Sequence, residues 1–339
     1  MAILNAQSLT LLDITKRIDP NGKQALIAEM LNQSNVMLND MPWMPANGES
    51  THRVTVRTGL PTVSVRTLNQ GTALSKSATA QMTESLMMLE AMSMIDERLL
   101  DYADNPAMVR VNEAYAFLES MNQTMIEKIF YGDTNTNDKE LLGLQPRYNS
   151  LSGGNAQNVL SAGGAATNAS VYLVCWGQNS VFGLYPKGSQ AGLKHVDIGI
   201  ETVFDSNGNP YRAFMDQYKW DCGLCVKDWR NVVRICNINT AHLAALNNTQ
   251  AITAATNLVD LIYESLSLIP NLTAVKPVLY CNRTVFFGLK KMMARLNIDS
   301  FRYDKSMDEN GVASAPMMTF MGVPIRIVDR LTNAETTVS

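Results

Sequence analysis

The chain has 339 residues, 46% of them hydrophobic and 17% charged, with a formal net charge of −3. That length supports one large or two ordinary domains with a substantial core. The slight acidity argues against a protein whose main partner is a phosphate backbone, and no apolar run approaches the roughly 18–20 residues that cross a bilayer. Five cysteines at scattered positions read as reduced thiols, and twenty methionines as gap-fillers of an adaptable core.

Residues 1–50 contain two short amphipathic pieces, LTLLDITKRI and ALIAEMLNQSNVML, split by the breaker DPNGK and followed by the proline-punctuated MPWMPANG. They read as an arm with little core of its own. In residues 51–78, Val54 and Val56, then Val63 and Val65, alternate with polar residues on either side of TGLPT. This predicts a two-stranded hairpin, which is marginal alone in water and must lean on something. Arg53, Arg57 and Arg66 form the one strong basic cluster of the first hundred residues. A guanidinium fork suits bidentate pairing with carboxylates of a neighbouring subunit better than contact with phosphate, because aromatics are not interleaved.

Residues 79–103 are apolar at nearly every third or fourth position, which fits a helix or an extended strand. From Asp104 to Gly132 the pattern is plainer. Asp104 or Asn105 offers a cap, Pro106 a first helical position and Gly132 a stop. Apolar residues recur at Met108, Val111, Tyr115, Leu118, Met125 and Ile129, with Ala114, Phe117 and Met121 beside them. A helix over about 106–131 would span about 37 Å, long enough to brace something laid across it. Gly143, in LLGL, brings the chain back to the core, and the Gly-rich SLSGGNAQNVLSAGG reads as a surface connection.

The second half changes character. SVYLVCW, SVFGLYP, RAFMDQYKWDCGLCV and WRNVVRICNI predict strands of an antiparallel sheet, with DSNGNP the clearest turn. TAATNLVDLIYESLSLI and RTVFFGLKKMMARLN predict helices on either side of the strand KPVLYCN. MMTFMGVPIRIV is a strand turning at Gly322 and Pro324, followed by a polar tail. The whole is α+β.

Chemistry is hard to place in this chain. His52, His195 and His242 stand apart from any ligand set, and neither HExxH nor G-x-S-x-G occurs. GGNAQNVLSAGG lacks the Lys-Ser/Thr ending of a phosphate loop. Cys222-x-x-Cys225 is the most tempting pair, yet zinc needs a second pair and only Cys236 follows nearby. Two small hydrophobes on a strand is the reading preferred to a cytosolic redox or metal protein. No enzyme activity, cofactor or metal is expected.

The order of parts carries a resemblance. EKIFYGD at 127–133 with LLGLQPR at 141–147, WDCGLCVKDWRNVVRICNIN at 220–239 and TFMGVPIRIVDRL at 319–331 stand in sequence after an arm and a long loop. The chain thereby resembles the HK97-fold major capsid proteins of tailed, podovirus-like bacteriophages. The resemblance implies an N-terminal arm (1–50), an extended loop (51–78) and a peripheral domain with the spine helix (79–167). An axial domain (168–316) and a C-terminal strand returning to the peripheral domain (317–339) would follow. It implies hexamers and pentamers of the chain in an icosahedral virion shell around double-stranded DNA, made in the host cytoplasm. A separate scaffolding protein, a portal protein and a cement or decoration protein are the implied partners, with no membrane involved. Arg53, Arg57 and Arg66 would make intersubunit contacts, and Gly132, Gly143, Gly322 and Pro324 structural turns. Lys76 has no support as a covalent cross-linking residue. An encapsulin-type compartment, or a tail-tube or decoration protein, is the alternative within the same structural class.

Overall fold

The computed structural model describes residues 36–103, 105–245, 249–296, 301–304 and 317–339. The two amphipathic pieces expected before residue 36 lie outside the described residues, as does Asp104. The chain divides into two compact units. One comprises residues 1–35, 88–126 and 192–221; the other comprises 36–87, 127–191 and 222–339. Strands are numbered β1 (Trp43–Pro45), β2 (Thr51–Gly59), β3 (Ala78–Asp96), β4 (Val159–Ser161), β5 (Asn168–Trp176), β6 (Val181–Tyr185), β7 (Lys194–Phe204), β8 (Pro210–Val226), β9 (Val232–Asn239), β10 (Lys276–Cys281), β11 (Phe301–Asp304), β12 (Met317–Phe320) and β13 (Val323–Ile327). The helices are α1 (Met37–Asp40), α2 (Glu97–Asp101), the spine helix α3 (Pro106–Tyr131), α4 (Leu144–Arg147), α5 (Thr240–Ala245), α6 (Thr249–Ser267) and α7 (Arg283–Leu296).

In the larger unit, β5 is buried at every position because it is flanked by β9 and β10 and covered by helices. Its inward residues Val171, Leu173 and Cys175 join Ile235 of β9, Leu279 of β10, Leu258 and Ile262 of α6, and Val285 and Leu289 of α7 in one core. The sheet is mixed rather than antiparallel as the sequence suggested. β5 runs antiparallel to β9 and β10, but β10 pairs with β13, β9 with β4 and β6 with β1 in parallel. β13 aligns with β10 because α7 separates β10 from the antiparallel meander β11–β12–β13, whose third strand joins it.

The ambiguous segment 79–103 resolves as strand up to Asp96, followed by the short helix α2 (Glu97–Asp101). β3 runs 19 residues, about 63 Å at strand rise, and its first part pairs antiparallel with β2 from Thr51↔Ser85 to Gly59↔Ala78. The predicted hairpin is therefore corrected. Val63 and Val65 form no strand; the partner of β2 is β3, and residues 60–77 are a long connection between them. Alternation marks a chain able to be a strand, but a ladder needs a partner, and β3 supplies the longer one.

In the smaller unit, the spine helix runs over the expected residues, but its buried face differs in the first half. Met108, Val111 and Tyr115 are exposed, while Val109 is buried with Ile95, Leu99 and Leu100. Phe117 stacks on Tyr218 of β8, and Arg110 lies over the Phe214 ring. The helix thus turns its Val109–Arg110–Phe117 side to β8. Asn105 is the cap: its Oδ1 accepts from the Met108 N–H at 3.2 Å. β7, which the sequence reading did not place, pairs with β8 from Lys194↔Lys219 to Phe204↔Pro210.

Candidate functional site

The feature least explained by its own fold is the arm formed by β2, the connection 60–77 and the start of β3. Val54 is buried with Phe182, Leu184 and Cys225, which fixes the base of the arm. Beyond it, Leu60, Val63, Val65, Leu68 and Leu74 are each more than four-fifths exposed. Among the described residues the connection makes local bonds such as Ser75 Oγ donating to Thr62 O at 2.8 Å. Five large apolar side chains in water on one segment is a patch that soluble monomers avoid. Arg53 and Arg57, opposite Thr83 and Thr79 in the ladder, are exposed, as is Arg66 in the connection. Among the described residues no carboxylate pairs with these three guanidinium groups. The structure does not gather them into a pocket; it strings them along the arm.

A second region anchors the arm. Glu84 of β3 is buried and takes a bidentate pair from Arg147 of α4, at 2.8 and 2.5 Å, while Arg147 also donates to Leu142 O. Gly132 and Gly143 sit where this return crosses the end of the spine helix. Gly143 N donates to Gly132 O at 2.8 Å, and a Cβ on Gly132 would lie 2.6 Å from the carbonyls of Leu141 and Lys128. Lys128 reaches Glu140 at 2.6 Å, and that hydrogen bond holds the Glu140 carboxyl below its ordinary pKa.

A third constellation was invisible in the sequence. Arg234 of β9, fully buried, donates to Glu335 at 2.8 Å, to Ser170 Oγ at 3.1 Å and to Tyr148 O at 2.8 Å. Glu335 also accepts from Tyr131 OH at 2.9 Å and from Ser170 Oγ. Burial pushes the Tyr131 and Tyr172 hydroxyls well above their usual range. The polar tail is thus a clasp rather than the expected strand: it makes a single bridge, Asn168↔Glu335, and exchanges two hydrogen bonds between Asn237 and Val338. Gly322 sits in the β12–β13 turn with φ +83°, but Pro324, expected to share that turn, lies one residue inside β13, paired with Thr319, because the turn closes at Phe320↔Val323.

Cys222 and Cys225 lie buried on β8, three strand residues apart. That spacing is about 10 Å, beyond disulfide reach. Burial pushes the Cys225 thiol up to about 12, which keeps it protonated and poorly nucleophilic. Among the described residues no group of three or more His, Cys, Asp or Glu could hold a metal ion. None of the described helices is long and apolar enough to cross a membrane.

Residues 19–339 match a family model described as major capsid protein GP7. A chain in the structure of bacteriophage Epsilon15 is 29% identical with a TM-score of 0.73, the match covering 100% of this chain and 99% of that one. The capsid of a native GTA particle matches at 10% identity and a TM-score of 0.46, over 65% of this chain and 95% of that one. The holo-SrpI encapsulin complex from Synechococcus elongatus matches at 12% identity and 0.46, over 68% and 96%. No curated protein matches the sequence.

Proposed function

The chain belongs to the major capsid protein GP7 family, a head-shell subunit of HK97-like fold that associates with its own copies, and from that premise we propose how its parts build the shell. The extended arm of one subunit lies on the next, burying Leu60, Val63, Val65, Leu68 and Leu74. The observation that carries this reading is the exposure of those five side chains on a segment whose base is fixed by Val54 packed against Phe182, Leu184 and Cys225. At about 25 cal/mol per Å2 of apolar surface removed from water, each such side chain contributes on the order of 1–3 kcal/mol when covered. Many copies around a ring then stabilise an assembly whose single contacts are weak.

Electrostatics supports the same partner. Residues 51–83 contain no Asp or Glu, yet they carry Arg53, Arg57, Arg66 and Lys76. Segments 88–126 and 192–221, which form the smaller unit with the first 35 residues, hold more than twice as many carboxylates as cations. A basic arm and an acidic unit on every copy favour head-to-tail contacts, which close into rings when the rotation allows. In this reading the rings are hexamers and pentamers of an icosahedral shell around double-stranded DNA, with residues 168–316 axial and 79–167 peripheral. The role is structural rather than enzymatic. Assembly takes place in the host cytoplasm with a separate scaffolding protein and a portal, and a decoration protein can bind the finished surface.

The test is expression of the chain with electron microscopy of the particles. Closed shells of uniform diameter support the reading. A folded chain that stays monomeric at high concentration, with or without co-expressed scaffolding protein, refutes it.

A further inference from the structure

We propose that Met321 is a preset apolar contact point for a second copy of this chain, an inference that rests on the shell-subunit reading above. The turn between β12 and β13 has two residues, Met321 and Gly322, closed by the pair Phe320↔Val323. Both have positive φ, +50° and +83°, the pattern of a type I′ turn, whose positions favour Asn, Asp and Gly. Gly322 meets that demand at no steric cost. Met321 does not, because its Cβ crowds the backbone in the left-handed region.

The other non-glycine positive-φ residues among the described residues are accounted for within the subunit. Asn69 and Asn237 are the residue type that tolerates this conformation. Thr167 is held because its carbonyl accepts from both the N–H and the hydroxyl of Thr240 at the start of α5. Among the described residues Met321 gains nothing comparable: it is 62% exposed. The strain is nevertheless firmly imposed. Phe320 is fully buried, with its ring 4.8 Å from those of Tyr263 and Phe301, and Val323 is buried on the other side. Strain that the surroundings over-determine, at a residue with no compensating contact among the described residues, points to a function outside the subunit.

The occupant is a second copy, since the chain associates with itself and Tyr263, packed edge-on against Phe320, continues the apolar surface at 38% exposure. A side chain already fixed on a tight turn loses little freedom on docking. An unbranched thioether adapts to a contact whose shape varies from one ring position to another.

Two measurements on the full chain test this. In the first, Met321 sulfoxide formation under mild peroxide is followed by mass spectrometry in dissociated subunits and in assembled particles. The expected result is a roughly tenfold slower reaction in particles; equal rates overturn the proposal. In the second, Met321→Asn relieves the strain and removes the contact, raising the subunit's melting midpoint by about 2–4 °C while raising the concentration needed for assembly several-fold. Met321→Leu, which keeps an apolar side chain, should assemble near the wild-type threshold. Wild-type assembly by Met321→Asn, or a defect in Met321→Leu as large as that of Met321→Asn, sinks the idea. Failure of the wild-type chain to form any particle refutes the shell reading itself, a distinct outcome.

Discussion

Arg234 and Arg57 are the same residue type put to opposite uses. Arg234 is fully buried and spends its donors on Glu335, Ser170 and Tyr148; Arg57 stands in solvent with no carboxylate partner among the described residues. The first closes the subunit on itself, tying the tail to the end of the spine helix through Tyr131. The second lies on an arm whose apolar side chains are also unsatisfied within the chain. Groups completed internally should therefore govern folding, and groups left incomplete should govern assembly.

The sharpest way to break that division is at the clasp. Glu335→Ala leaves a buried guanidinium without its counter-charge, a loss of about 3–5 kcal/mol. The expected outcome is a melting midpoint lower by at least ~6 °C, or insoluble chain, followed by thermal denaturation. Replacing both partners, Arg234→Met with Glu335→Leu, should recover much of the loss, because apolar side chains carry no desolvation cost. Equal destabilisation by the single and double variants would show that packing of the tail, not charge, is what counts.

On the arm the pattern should invert. Arg57→Glu with Arg66→Glu is expected to abolish shell formation while shifting subunit stability by no more than about 0.5 kcal/mol. Light scattering and a urea titration on the same preparation check both halves. Normal shells from this variant would remove the arm from the contact, leaving its five exposed apolar side chains without a role.

The same contrast explains what the sequence made legible. The spine helix was readable to the residue because its signals are local: Asn105 caps, Pro106 starts and Gly132 stops. Its buried face was not, since Val109 and Arg110 turn inward for the sake of Phe214 and Asp216, a hundred residues away. The strand predicted at Val63–Val65 failed for a related reason, as register belongs to the partner, and β2 takes β3 as its partner. The pairs Arg147–Glu84 and Arg234–Glu335 join segments far apart in the chain, so no spacing rule reveals them. The basic cluster of Arg53, Arg57 and Arg66 was visible in the sequence, and it is the one trace of the proposed assembly surface that needed no fold.

Smaller effects probe the margin between the two classes. Cys175, Cys225 and Cys281 are buried, with thiols pushed up to about 12 by burial. Iodoacetamide at about pH 8 should label none of them in the native chain and all of them in denaturant, read by mass spectrometry; rapid native labelling of Cys225 would reopen a reactive role for the Cys222–Cys225 segment.

The smallest expected effect lies at Lys128 and Glu140, which join the spine helix to the return that carries Arg147. The hydrogen bond from Lys128, joined by one from Asn137, holds the Glu140 carboxyl below its ordinary 4.5. A carboxyl whose folded pKa is depressed contributes stability that is fully present above the unfolded value and is lost as pH falls through the folded one. The loss should therefore begin near pH 4.5 and deepen on further acidification. Both side chains are partly exposed, so the contribution is on the order of 0.5–1 kcal/mol. Glu140→Gln should flatten that part of the acid limb in urea midpoints measured from about pH 6 to pH 3, and Lys128→Met should do the same while leaving the titratable carboxyl in place. If Glu140→Gln also weakens assembly at neutral pH, the boundary between inward and outward charge is not sharp. The pair would then be the place where the fold of one subunit feels its neighbour.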